Sequence, residues 1–186
     1  MDQKLLIVDL DETLIFSSEA PLDRPEDLRL GEYYTYKRPG VHVFLEFAFL
    51  HFTVAVWTSS DAKYARLAID SLFPAVERLR FIWTRDRCTL RTDHESRESY
   101  WIKDLKKVKR AGFPLEQILV IDDSPEKLQR NYGNYIRIEP FYGNATDSEL
   151  HRLQDFLLTL KSVPDVRTVE KRGWRTRGQW QIDRDT

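Results

Sequence analysis

The stretch KLLIVDLDET, Lys4–Thr13, decides how this chain is read. Consecutive aliphatic residues from Leu5 to Val8 predict a strand buried on both faces, because the apolar run is continuous rather than alternating. Asp9 and Asp11 stand at its carboxyl end. Two positions apart on extended backbone, they point roughly the same way. Carboxylates that close repel each other, and one is pushed toward protonation unless a cation lies between them. Either the pair is a solvated strand end, or it holds a metal.

The apolar run Leu5–Leu10 has companions at Phe52–Trp57, Leu79–Trp83, Ile118–Ile121 and Tyr135–Ile138, each ending in polar residues. Helical periods lie between them. Val41, Phe44, Leu45, Ala48 and Phe49 follow the i, i+3, i+4, i+7 rule after Arg38-Pro39-Gly40. Tyr64, Leu67, Ala68, Ser71 and Leu72 do the same and stop at Pro74. Trp101, Leu105 and Val108 predict a third, basic helix closed by Gly112. Ser124-Pro125 predicts the start of a fourth. TDSE at 146–149 has the form of a capping box opening a fifth, with Leu150, Leu153, Phe156, Leu157 and Leu160 on its apolar face.

Strands alternating with helices predict an α/β fold: a five-stranded, mostly parallel sheet with right-handed crossovers and helices on both faces. Ligands of such sheets bind at the carboxyl ends of the strands. The first strand ends in Asp9 and Asp11, the second in Thr58-Ser59-Ser60, and the fourth in Asp122-Asp123-Ser124. Acidic and hydroxyl groups thus converge on one edge.

Residues 17–37, with Gly31 in LRLGEYYTY, predict a small β-hairpin inserted after the first strand. Residues 1–162 are expected to form the domain and 163–186 a basic tail that the fold does not need. In that tail, Arg167, Lys171, Arg172, Arg175 and Arg177 accompany Trp174 and Trp180. The tail is either a loose, solvated end or a basic, aromatic segment beside an open site that attracts acidic or phosphorylated partners.

Composition narrows the partners. The chain has 186 residues, a single cysteine (Cys88) and a formal net charge of -1. That length suits one domain able to bury roughly 70% of its unfolded surface without staples. One cysteine excludes an intramolecular disulfide and a zinc site built on several thiolates. Cys88 reads as a small buried hydrophobe, since no arginine follows six positions on. The near-zero charge gives no global pull toward nucleic acid or membrane. With no long apolar run and no signal-type segment, a soluble, cytoplasmic protein is expected, with a nuclear location open if the source is eukaryotic.

The clustered groups suit phosphoryl transfer. A carboxylate can attack phosphorus and carry the group as an aspartyl-phosphate. A hard cation such as Mg²⁺, held by oxygen ligands, screens the repulsion between nucleophile and phosphate. Asp9 with Asp122 and Asp123 could hold it, Asp11 could serve as acid and base, Lys103 could neutralise charge, and Thr58 could hold phosphate oxygens.

DLDETL (9–14) is similar to the DxDx[TV] signature of haloacid dehalogenase (HAD) superfamily phosphatases. WTSSDAKYA (57–65), KDL (103–105) and IDDSPEKL (121–128) look like that superfamily's later motifs. KRPGV (37–41), RDRC (85–88) and NATDSEL (144–150) resemble its FCP/SCP-like, NLI-interacting-factor branch, from about residue 4 to 160. The resemblance implies a Rossmann-like HAD domain and a Mg²⁺-dependent phosphatase with an aspartyl-phosphate intermediate, acting on phosphorylated Ser or Thr of proteins. It implies Asp9 as nucleophile and metal ligand, and Asp11 as acid/base touching the metal through its main-chain carbonyl. Thr58, with Ser59 beside it, and Lys103 would bind the phosphoryl group, and Asp122 and Asp123 would complete the metal site. Apart from the resemblance, Arg85, Arg87 and Arg91 either meet a phosphorylated substrate or are ordinary surface charge. RTDHESRESYW (91–101) departs from the branch in length and charge, which bears on substrate choice. A nucleic-acid end or small-molecule phosphatase is the alternative with the same chemistry, the former suggested by the basic helix and tail. A receiver-type module fails, because the third strand ends in Trp83-Thr84-Arg85 without an aspartate.

Overall fold

The computed structural model describes residues 3–92 and 97–176. β1 (Leu5–Val8) opens the chain, followed by β2 (Ile15–Ser18), β3 (Leu28–Leu30), β4 (Tyr33–Lys37) and α1 (Val41–His51). Next come β5 (Thr53–Trp57), α2 (Ala62–Leu72), β6 (Ile82–Trp83), β7 (Thr89–Thr92) and β8 (Ser99–Ile102). α3 (Lys106–Arg110), β9 (Ile118–Asp122), β10 (Tyr135–Arg137) and α4 (Glu149–Lys161) complete the order. The main sheet has five strands in the order β10-β9-β1-β5-β6, all parallel. The expected α/β architecture is therefore present.

β1 sits in the middle of that sheet, which is why its run is continuous. Leu6 and Val8 enter the core under α1, α2 and α4, while Leu5 and Ile7 enter the opposite core with Val108 of α3. In register, Val8 lies level with Val56 on one side and Ile121 on the other. The ladder continues one step further, as Asp9 N–H donates to the Ile121 carbonyl at 3.1 Å. Asp9 is thus fixed by the central strand itself.

The inserted segment forms a three-stranded antiparallel sheet, β2-β4-β3, in place of a simple hairpin. Gly31, at φ +62°, makes the turn between β3 and β4, a conformation that favours glycine. β7 and β8 pair as a second small ribbon, from Thr89 opposite Ile102 to Thr92 opposite Ser99. Within the divergent stretch 91–101, residues 93–96 lie outside the described residues.

Several local expectations are corrected. Trp101 belongs to β8, not to a helix, and α3 begins only at Lys106. Trp101 pairs with Leu90 across the ribbon, so its helical spacing to Leu105 is coincidental. Ser124-Pro125 opens only a 3-10 turn, Pro125–Leu128. The Lys127 carbonyl there is taken by Lys103 N–H at 2.8 Å, where a helix would need an amide four residues on. TDSE is not a capping box: Asp147 Oδ1 accepts the Glu149 N–H at 2.9 Å. The Glu149 carboxylate is used elsewhere, accepting from Glu139 N–H at 2.9 Å and pairing with Arg175. β6 is only two residues long, shorter than the predicted run.

The largest correction concerns the tail. Val166 and Trp174 are buried, and the Trp174 ring stacks on Phe156 of α4 with centroids 5.7 Å apart. Trp174 Nε1 donates to the Arg137 carbonyl at 2.8 Å. Lys171 donates to the carbonyls of Gly133, Val166 and Val169. The domain therefore uses the chain up to residue 176. Arg177 and Trp180 lie outside the described residues.

Candidate active site

The loop after β1 brings both aspartates to one place. Leu10 O accepts N–H bonds from Thr13, Leu14 and Ile15, winding residues 10–15 into a tight turn. Glu12 at its apex has φ +54°, a left-handed conformation uncommon for a non-glycine residue and typical of strained functional loops. Arg38, 1% exposed, holds the turn from behind. Its guanidinium donates to the carbonyls of Thr13 (3.1 Å) and Glu139 (2.9 Å) and to both oxygens of Asp147 (2.8 and 2.9 Å).

Asp9 is 1% exposed and Asp122 is fully buried. Lys103 Nζ lies between them, 2.9 Å from Asp9 Oδ1 and 2.5 Å from Asp122 Oδ2. Lys127 Nζ approaches from the other side, 3.1 Å from Asp9 Oδ2, 3.7 Å from Asp122 Oδ1 and 3.9 Å from Asp123 Oδ1. Burial opposes the charge on Asp9, but the two ammonium groups outweigh it and hold that carboxyl below the usual range. Burial and the Asp9 charge push Asp122 up. Of the pair, Asp9 is the one kept ionised.

Asp11 has different surroundings. Ser60 Oγ donates to Asp11 Oδ2 and Tyr64 Oη to Asp11 Oδ1, each at 2.6 Å. Burial nevertheless pushes its carboxyl up, which suits a group that must carry a proton. Burial and the charges of Asp11 and Asp123 push Glu12 up to about 7. Two neighbouring aspartates with pKa values moved in opposite directions is the pattern expected of a nucleophile beside an acid.

Could the carboxylates hold a divalent cation? Carboxylate oxygens of Asp9, Asp122 and Asp123 all come within 4.8 Å of one another. Asp123 Oδ1 is buried without a hydrogen-bond donor among the described residues. An all-oxygen set with a spare buried acceptor fits a hard cation.

Thr58 is buried at the end of β5, its Oγ1 accepting from Ser60 N–H at 3.0 Å. The cap of α2 is Asp61, whose Oδ1 accepts from Tyr64 N–H at 3.0 Å. Ser59 is placed by its carbonyl, which takes Arg85 Nε at 2.7 Å; the hydroxyl on Asp11 is that of Ser60. Arg85 shares a small cleft with Asp11, Ser60 and Tyr64. Arg87 lies over the Trp83 ring at 4.9 Å, and Arg91 is exposed on β7. Neither lines that cleft.

Sequence reading missed Lys127, Ser60, Tyr64 and Arg38. Tyr64 reads as apolar helix face, yet its position on the first turn of α2 turns the hydroxyl to the strand edge. Lys127 sits four residues after Asp123, a spacing that brings it back over the aspartates only because the chain turns at Pro125. Tyr64→Phe is expected to lower kcat about tenfold, the scale of one hydrogen bond to a charged group. That bond favours ionised Asp11, so its loss raises the Asp11 pKa. The alkaline limb of kcat/KM, which reports the free enzyme's acid, should then move to higher pH.

Residues 4–167 match the NLI interacting factor-like phosphatase family. The chain belongs to that family. This member is 32% identical over 173 residues to a probable C-terminal domain small phosphatase of Dictyostelium discoideum, covering 89% of this chain and 53% of the relative. It is 30% identical over 175 residues to the human carboxy-terminal domain RNA polymerase II polypeptide A small phosphatase 1, covering 90% of this chain and 63% of that one. The chain thus spans less than two thirds of the length of either relative. Its fold is similar to that of Fcp1, an essential RNA polymerase II CTD phosphatase, with a TM-score of 0.57 at 20% identity, over 85% of this chain and 49% of that one. Among the described residues no helix is long and apolar enough to cross a membrane.

Proposed function

We propose that this family member hydrolyses phosphomonoesters of proteins, on Ser or Thr, by way of a phosphoryl group carried on Asp9. The observation that supports it most is the pair of ammonium groups on one buried carboxylate, which keeps Asp9 ionised and positions it at the mouth of the sheet. An Asp9 oxygen attacks phosphorus, and the bond to the leaving oxygen breaks. Asp11 gives its proton to that oxygen, releasing the side-chain hydroxyl. Asp11, now a carboxylate, removes a proton from water, whose oxygen attacks the same phosphorus. Phosphate leaves and Asp9 is a carboxylate again. Asp9, Asp122, Asp123 and the main-chain carbonyl of Asp11 would hold Mg²⁺, which when bound supplies charge screening for the approach of the anionic ester. Thr58 and Lys103 would hold the phosphoryl oxygens, with Arg85 at the rim.

A protein substrate is supported by access. The segments beside the site are a three-stranded sheet and a two-stranded ribbon, too small to enclose a metabolite. The test is hydrolysis of p-nitrophenyl phosphate and of phosphoserine peptides with Mg²⁺ and after exhaustive chelation. Turnover of both that stops with chelation is expected; turnover that survives it would overturn the cation requirement.

A further inference from the structure

A second cleft, of about 620 Å³, opens between β10 and the 167–172 segment and reaches Pro125 beside Asp122–Ser124. That is the size of a ligand site. In register, Arg137 of β10 lies level with Asp122 of β9, and Asp9 follows Val8, which is level with Ile121. Asp9, Asp122 and Arg137 therefore form one row across three adjacent strands. Strand alternation puts all three on the face of Ile7, Val120 and Tyr135. Two strand spacings separate Arg137 from Asp9, about 10 Å.

The chemistry of this cleft is unlike ordinary surface. The Arg137 side chain is exposed and makes no hydrogen bond or ion pair among the described residues, whereas the other arginines on the rim are already paired. Arg167 pairs with Glu116 and Asp165, and Arg172 with Glu170. Tyr135, 6% exposed, lines the same cleft, and its hydroxyl, itself buried, has no hydrogen-bond partner among the described residues. Buried hydroxyls normally have one. A free guanidinium and an unmatched hydroxyl, two residues apart on one strand face, call for an acceptor. The exposed Tyr132 ring adds an apolar wall.

We infer that this cleft is a subsite for an acidic segment of the substrate polypeptide, anchored on Arg137 and Tyr135. The inference rests on the phosphoprotein reading and extends it to sequence preference. A carboxylate on the polypeptide accepts from both groups. An extended chain rises about 3.3 Å per residue, so the anchored residue lies roughly three positions from the phosphorylated one.

The test uses the full chain and phosphoserine peptides carrying glutamates three and four positions to either side of the phosphoserine, against glutamine counterparts. One of the glutamate peptides should show a kcat/KM about tenfold higher, expressed in KM. Arg137→Gln should erase that preference and Tyr135→Phe should reduce it, with p-nitrophenyl phosphate turnover unchanged in both. Binding of a fluorescent, unphosphorylated glutamate peptide, followed by anisotropy, should weaken to the same extent in Arg137→Gln. This arm stands even if no phosphopeptide is turned over, so the subsite and the phosphoprotein reading can fail separately. Equal binding of glutamate and glutamine probes, or the same binding by wild type and Arg137→Gln, overturns the inference. So does an Arg137-dependent oligonucleotide that binds more tightly than the peptide, since it assigns the cleft to nucleic acid.

Discussion

Asp9→Asn is expected to abolish both turnover and the covalent phosphoenzyme, while Asp11→Asn should be slow and accumulate it. The amide at position 9 has no anionic oxygen to attack phosphorus. At position 11 the loss is of the proton donor and of the base for water, and such help is worth about 10²–10⁴-fold. The deficit depends on the ester. A good leaving group needs little protonation, so phosphorylation of Asp9 in Asp11→Asn proceeds while hydrolysis of the acyl phosphate lags. Rapid quench with p-nitrophenyl phosphate should trap an acid-stable, hydroxylamine-labile phosphoprotein in Asp11→Asn and none in Asp9→Asn. Label trapped on Asp9→Asn would assign the nucleophile elsewhere. Asp9→Asn also replaces a buried charge that meets two ammonium groups, so melting curves must accompany the kinetics.

The sheet and the strand-end aspartates were legible because each followed from local pattern. A continuous apolar run implies a strand covered on both faces, and Leu5–Val8 is one. Polar groups after several such runs must meet at one edge, since parallel strands share their carboxyl ends. What escaped depended on contacts far apart in sequence. Trp174 looks like a tail residue until Phe156 and the Arg137 carbonyl are beside it. The tail's cations looked like a recruiting patch, yet Arg167, Arg172 and Arg175 each have a carboxylate partner. Arg38 stood within a recognisable KRPGV stretch, but nothing local indicates that it binds carbonyls on the turn after β1. Helical spacing misleads in short segments for a related reason. A period of three or four residues over 101–108 arises by chance where a β ribbon meets a single helical turn.

The two lysines of the site should separate by stability and cation affinity. Lys103 is fully buried between two buried carboxylates, and removing one partner of such a group leaves uncompensated charge. Lys103→Met should therefore cost about 3–5 kcal/mol in chelator. At about 2–4 °C per kcal/mol for a chain of this size, the melting temperature should fall by roughly 6–20 °C. Mg²⁺ at a hundred times its Kd stabilises a folded protein by about 2.7 kcal/mol, so part of the deficit should return on titration. Lys127 sits nearer the mouth, its side chain 16% exposed, and its ammonium faces the same three carboxylates that fit a divalent cation. Burial works against that charge, but Asp9, Asp122 and Asp123 outweigh it and hold the ammonium firmly protonated. An ammonium and a dication compete for those oxygens. Lys127→Met should thus cost less stability in chelator than Lys103→Met and bind Mg²⁺ more tightly by calorimetric titration. If Lys103→Met melts like the wild type in chelator, its ammonium does not neutralise the buried pair. If Lys127→Met binds Mg²⁺ more weakly, Lys127 supports the cation site instead of competing for it.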